Sequence, residues 1–258
     1  MDYVSVAEAR EMPGLRLALS AGTPGPWGEA AKAVLKLRGV PFVPVRQHIM
    51  QANEKLVEWT GFRNAPVAVY NDEPGVAGWI EILMLAERLG SGPSLLPEDE
   101  LERITVMGIC TEICSSGGFG WERRLTMMGS GPRLQAGGSP DMMTPDVMTR
   151  AYGVREGVAG PATARVIAIL QALASLLARS RAAGSEYLVG KSLTAADVYW
   201  ACFAILIEPQ PQAICPMSPE MRAVYANITP EIAAAADPAL IAHRDMVWQR
   251  HIGLPMAF

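Results

Sequence analysis

Cysteine is scarce in this sequence: Cys110, Cys114, Cys202 and Cys215 are the only four in 258 residues. So few and so widely spread, they exclude a disulfide framework, and reduced thiols are expected. Cys110 and Cys114 share a helix face at i, i+4, yet no second Cys or His pair lies nearby to complete a metal site. Core packing is therefore expected of them, and no metal. The three histidines, His48, His243 and His251, lie far apart, and nothing ties them to a nucleophile. Basic residues do not cluster. With 22 Lys and Arg against 26 Asp and Glu, the net charge of -4 excludes the electrostatic footprint of a nucleic-acid or anionic-membrane binder. No uninterrupted apolar run reaches the roughly 18 residues of a membrane span. The segment Met1 to Arg10 carries acids early and lacks a secretory apolar stretch, so a cytoplasmic location is expected.

What is present suffices for folding by burial: half of the residues are hydrophobic and 19% charged. The length favours two domains. Leu15 to Ser20 alternates as a strand and is broken by the Gly/Pro-rich stretch Ala21 to Gly25. Pro26 suits a first helical position, and Ala30, Ala31, Val34, Leu35 and Leu37 supply an apolar face before Gly39. Val40 to Val45, carrying Pro41 and Pro44, reads as a strand near a sheet edge. Weak helical character over Asn53 to Trp59 precedes a proline-entered strand, Ala65 to Tyr70. After a turn at Asn71 to Gly75, helical spacing over Gly78 to Leu89 ends at Gly90-Ser91-Gly92-Pro93. The order is β-α-β-α-β-β-α, its sixth element short.

Beyond Pro97 the texture turns helical, which places a boundary near residues 90 to 97 and divides the chain into 14–92 and 98–258. Helices are expected over Glu98 to Ser115, Trp121 to Met128 and Pro161 to Arg181. Gly129 to Asp146 reads as a glycine- and proline-rich excursion. Thr194 begins a capping box completed by Asp197, a folding device that contributes about 1 kcal/mol. The tail from Pro238 to Phe258 is rich enough in aromatics and charges to dock.

Three stretches, in this order, resemble the glutathione S-transferase superfamily: Pro26 to Phe42, like its first helix and second strand; Asn64-Ala65-Pro66-Val67, like its cis-proline; and Tyr187 to Asp197, like its helical-domain capping box. Gly78 to Leu83 with Gly120 to Leu125 is similar to a bacterial subgroup of uncertain substrate. The resemblance implies a thioredoxin-like α/β domain followed by an all-α domain, glutathione as co-substrate, and a homodimer. It further implies a transferase or lyase that directs the glutathione thiolate at an electrophilic small molecule. The alternative is a non-catalytic member that binds or assembles.

Such an enzyme must ionise a thiol whose free pKa is near 8.5, with a hydroxyl donor and a helix N-terminus as the usual means. Carried over without gaps, the resemblance places Gly25 where the Ser or Cys stands. Thr23 and Ser20 are the remaining hydroxyls near that terminus; Thr23 is preferred, and it also organises a Pro-Gly turn. Tyr3, another donor, precedes the strand by many residues. Trp27 would stand beside the sulfur or pack. Ala65, ahead of Pro66, would pair its backbone with glutathione. Glu81-Ile82 occupies the place of an acid-Ser pair that holds the γ-glutamyl end, so the acid is matched and the hydroxyl is not; a solvated helix acid is the other reading of Glu81. The helical domain would supply the second-substrate side through Cys110, Cys114, Phe119, Trp121 and Arg124, although helix packing explains the apolar ones equally well.

Overall fold

The computed structural model describes residues 1–49, 51–130 and 152–258. From residue 131 onward, the excursion expected over Gly129 to Asp146 lies outside the described residues. The chain forms two compact units: one holds Met1–Pro93 with Met256–Phe258, and the other holds the described residues from Ser94 to Pro255.

The first unit is built on a three-stranded sheet in the order β2-β1-β3. Strand β1 (Leu15–Ser20) runs parallel to β2 (Val43–Gln47) and antiparallel to β3 (Val67–Tyr70). The run Leu15 to Leu19 is buried throughout, as a central strand covered on both faces must be. It includes Arg16, whose guanidinium donates to Gly14 O and Asn71 O, each at 2.8 Å, and lies over the Trp59 ring at 5.5 Å. Pro44 is tolerated in β2 because that strand is the sheet edge. Among the described residues its outer side meets a single bridge, Val4 to Val45, through Val4 N–H to Pro44 O and Arg46 N–H to Val4 O. The short fourth strand of the expected order is likewise one bridge, between Ala68 and Val76.

Helix α1 (Val6–Arg10) has no counterpart in the sequence reading; a reciprocal Ser5–Glu8 capping box starts it. Helix α2 (Pro26–Leu37) begins on proline at its first position and presses Ala30, Ala31, Val34 and Leu35 into the core. Gly28 lets it approach β1 closely: a Cβ there would lie 3.3 Å from Leu19 Cδ2. Helix α3 (Glu54–Thr60) precedes β3, and α4 (Trp79–Leu89) buries Ile82, Leu83, Leu85 and Ala86 at the predicted spacing. Past the end of α2, Arg38 donates to carbonyls of Glu87, Gly90 and Gly92, which locks the ends of α2 and α4 together.

The second unit is helical: α5 (Glu100–Cys114), α6 (Phe119–Ser130), α7 (Ala159–Ala182), α8 (Ala195–Phe203), α9 (Pro219–Ala226), α10 (Pro230–Ala235) and α11 (Pro238–Val247). Every residue of α8 is buried, which makes it the hub. Two indoles fasten it to its neighbours, Trp200 Nε1 donating to Leu240 O and Trp248 Nε1 to Ala201 O, each at 3.0 Å. Asp197 accepts from Thr194 N–H and Thr194 Oγ1 at 2.9 Å, so the expected box forms. Its carboxylate also takes Leu188 N–H at 2.8 Å and His243 Nε2 at 2.9 Å, giving His243 a buried structural partner that its isolation in sequence had hidden. Helix α7 is long and apolar enough to cross a membrane by length and composition. Here its Val166, Ile169, Leu170, Leu173 and Leu177 are buried, and it packs along α6 and α10.

Candidate functional site

The candidate site gathers at one end of the first unit's sheet. Because β1 and β2 are parallel and β3 antiparallel, the C-terminal ends of the first two share an edge with the start of the third. The last β1–β3 pair is Ala18 with Val67, so Ser20 and Ala65 each lie two residues beyond it at this end of the sheet. Ser20 is also paired with Gln47, and the two side chains are joined, Ser20 Oγ donating to Gln47 Oε1 at 2.7 Å. Gln47, buried, returns its amide protons to His48 O at 2.9 Å and Arg63 O at 3.4 Å. One side chain thus ties three chain segments together at the sheet end. The Ala65–Pro66 peptide is cis. Among the described residues, neither the N–H nor the C=O of Ala65 has a hydrogen-bond partner.

The loop from β1 to α2 folds above this edge. Thr23 N–H donates to Ser20 O at 3.2 Å and Gly25 N–H to Thr23 O at 2.9 Å, so Thr23 shapes the turn with its backbone. Its hydroxyl, half-buried, has no hydrogen bond among the described residues. The Ser20 hydroxyl, by contrast, has already given its proton to Gln47. Gly25 is the N-cap of α2, with φ -67° and ψ 127° and no side-chain cap, and Trp27 stands half-buried in the first turn. Among the described residues, a Cβ added at Gly25 would meet nothing within 4 Å. Gly25 thus begins a 12-residue helix whose first amides receive no side-chain cap.

Charge below that turn is unusual. Glu29 is buried, and Lys32 Nζ lies 2.7 Å from its Oε1 while also donating to Ala257 O. Burial pushes the Glu29 carboxyl above its ordinary range, and Lys32 opposes the shift. The Tyr3 hydroxyl is raised as well, by burial and then by Glu29, with Arg46 over its ring pulling the other way. Nothing in the sequence pattern drew attention to Glu29; an acid three residues before a lysine on an apolar helix face is the signal it carried.

No model of a known protein family matches the sequence, and no curated protein does. Solved structures match nearly its whole length. A glutathione S-transferase domain-containing protein of Marinobacter aquaeolei VT8 is 17% identical with a TM-score of 0.64, over 92% of this chain and 100% of that one. A glutathione S-transferase of Methylobacterium radiotolerans JCM 2831, in complex with glutathione sulfonate, is 17% identical with a TM-score of 0.62, over 95% and 97%. The β-etherase LigF of Sphingobium sp. strain SYK-6 is 18% identical with a TM-score of 0.61, over 90% and 99%. The chain has the glutathione S-transferase fold.

Within that fold, the remaining expected site residues are placed as follows. Ile82 is buried in the core and its N–H goes to Gly78 O at 3.1 Å, which leaves a ligand nothing to hold. Glu81 is exposed, and its carboxylate folds back over Gly78, the N-cap of α4. In the helical unit Cys110, Cys114 and Phe119 are core residues rather than pocket walls, and Phe119 packs on Trp200 with ring centroids 5.6 Å apart. The i, i+4 spacing of the two cysteines named a face and not the direction it pointed. Burial drives both thiols well above their ordinary range; Asp197 adds to the effect at Cys110, and Cys110 and Cys202 add to it at Cys114.

Trp121 and Arg124 do come together, joined by Tyr152, which the sequence reading missed. The Arg124 guanidinium lies 5.2 Å from the Trp121 ring centroid and 4.9 Å from that of Tyr152. Burial lowers its pKa, against Tyr152 and Tyr225. Arg123 is not its solvent-facing twin. It is buried, with its pKa lowered to about 10 by burial, and donates to Leu206 O, Thr126 Oγ1 and Asn227 O.

Proposed function

We propose that the first unit binds glutathione and that the protein is a glutathione-dependent transferase or lyase acting on an electrophilic small molecule. One observation carries the reading: the unpaired backbone of Ala65 and the uncapped start of α2 at Gly25 share one end of the sheet. An extended peptide adds to such a backbone edge as a strand would, and an anionic sulfur suits a helix N-terminus. In this reading Ala65 holds the glutathione backbone, the amides beyond Gly25 face the sulfur with Thr23 as hydroxyl donor, and Glu81 receives the amino group. Residues 14–92 then form the thioredoxin-like glutathione-binding domain. Residues 98–258 supply the second-substrate side, through Trp121 and Arg124. A cytoplasmic homodimer completes the proposal.

A second reading, a non-catalytic glutathione-binding or assembly protein, is favoured by two positions: Gly25 has no side chain, and Ile82 stands where a hydroxyl was expected. Thermal unfolding with glutathione tests the first step. A ligand at a hundred times its Kd stabilises the folded state by about 2.7 kcal/mol, a rise readily measured by calorimetry. No rise at millimolar glutathione would sink the proposal. A rise without turnover of any electrophile would select the second reading.

A further inference from the structure

The second unit carries a cleft remote in sequence from the candidate glutathione site. It has a volume of about 380 Å³ and is lined by Arg181, Gly184, Ser185, Glu186, Met246 and Arg250. That volume suits a small organic ligand. The turn that carries Ser185 at its edge is braced by hydrogen bonds. Ser180 Oγ donates to Leu188 O at 2.9 Å, Ser185 Oγ donates to Gly190 O at 2.6 Å and accepts Tyr187 N–H at 3.1 Å, and the Tyr187 hydroxyl meets His251 Nε2 at 3.2 Å. Arg250 stands in a five-residue π-helix, Trp248–Ile252, a wide turn of the kind that recurs at functional sites.

The charges in the cleft do not balance. Glu186 Oε2 accepts from Arg250 Nη1 at 2.9 Å, which orients that guanidinium and neutralises one charge. Arg181, exposed on the last turn of α7, has no ion-pair partner among the described residues. Two planar cations and one carboxylate leave a net positive cleft, and Met246 adds an apolar surface beside them. The geometry points to a binding site for a small organic oxyanion, with Arg181 and Arg250 holding the anionic group and Met246 packing against a short apolar body.

Titration calorimetry of the full chain with phenyl phosphate, at low salt, tests the site, with benzoate, inorganic phosphate and phenol as comparators. Phenyl phosphate is expected to bind more tightly than inorganic phosphate, and phenol not to bind. Arg181→Ala should weaken binding about tenfold while the unfolding midpoint stays put, since the side chain has no ion pair to lose. Benzoate binding more tightly than phenyl phosphate would assign a carboxylate, the reverse a phosphate monoester; either supports the oxyanion site. Absence of binding by both, equal binding by wild type and Arg181→Ala, or loss of binding in saturating glutathione would each overturn it.

Discussion

Restoring a hydroxyl at Gly25 is the sharpest probe of the candidate site. The backbone there is ordinary for any L-residue, and the added Cβ meets nothing within 4 Å among the described residues, so Gly25→Ser introduces no strain with them. As an N-cap, serine exceeds glycine by only a few tenths of a kcal/mol, and the melting temperature should barely move. A hydroxyl donating to a charged sulfur contributes about 1.5–3 kcal/mol, equivalent to one or two units of thiol pKa. From a starting value near 8.5, the thiolate fraction at neutral pH would rise from about 3% to between about a quarter and three quarters. Each unit of lost basicity also costs about threefold in nucleophilicity, so the net gain in rate is only about threefold. Thiolate ultraviolet absorbance of bound glutathione, titrated against pH, is therefore the decisive assay. Equal glutathione affinity with an unmoved thiolate pKa would refute the placement of the sulfur at this helix start. Gly25→Cys offers an independent check: attack on glutathione disulfide should yield a mixed disulfide and release one glutathione, seen as added mass.

Four further outcomes are expected. Thr23→Ala should lower turnover with a generic electrophile while leaving glutathione affinity nearly unchanged; unchanged turnover would shift the role to the backbone amides. Asp197→Ala strands buried donors from Leu188, Thr194 and His243 and should cost about 3–5 kcal/mol in urea unfolding, with a loss below about 1 kcal/mol counting against the network. Glu29 has a raised folded-state pKa, so the folded protein binds more protons than the unfolded chain between the two values and stability falls as pH rises through that window. Glu29→Gln should remove this fall, so its stability relative to wild type should climb from acid pH toward neutrality; parallel pH profiles would show that Glu29 does not titrate there. Gly90→Ala would bring a Cβ within 2.5 Å of Arg38 Cβ and Arg38 O and 2.7 Å of Ala86 O, so a loss of about 3 kcal/mol is expected, read by chemical denaturation.

Much of the architecture was readable because local chemistry and global fold agree. Pro26 opens α2, Gly39 closes it, and the apolar spacing of α4 matches its buried face. The fourth strand was overstated because one bridge at Val76 carries too little pattern to separate from a turn. Helix α1 was passed over although Ser5 and Glu8 hold the spacing of a capping box; five residues offer no periodicity. The candidate site divides along the same line. Gly25, Ala65 and Pro66 belong to backbone geometry, which sequence order predicts well. Gln47 and Tyr152 act through Arg63, Arg124 and Trp121, 16 to 31 residues away, which no linear spacing encodes, whereas Glu29 meets Lys32 three residues on and was legible only as that pair. For Cys110 and Phe119 two readings, core packing and a substrate wall, stood side by side for the same reason: periodicity identifies a helix stripe, and only packing decides what that stripe faces, here the core.

All four cysteines lie in the helical unit, each buried, and the first unit has none. The protein therefore carries a built-in clock for one half of itself. Alkylation of an untouched wild-type chain counts openings of the helical unit alone, blind to any fraying of the sheet. Compared with hydrogen exchange at β1, it would show whether the two halves come apart in one event or in sequence.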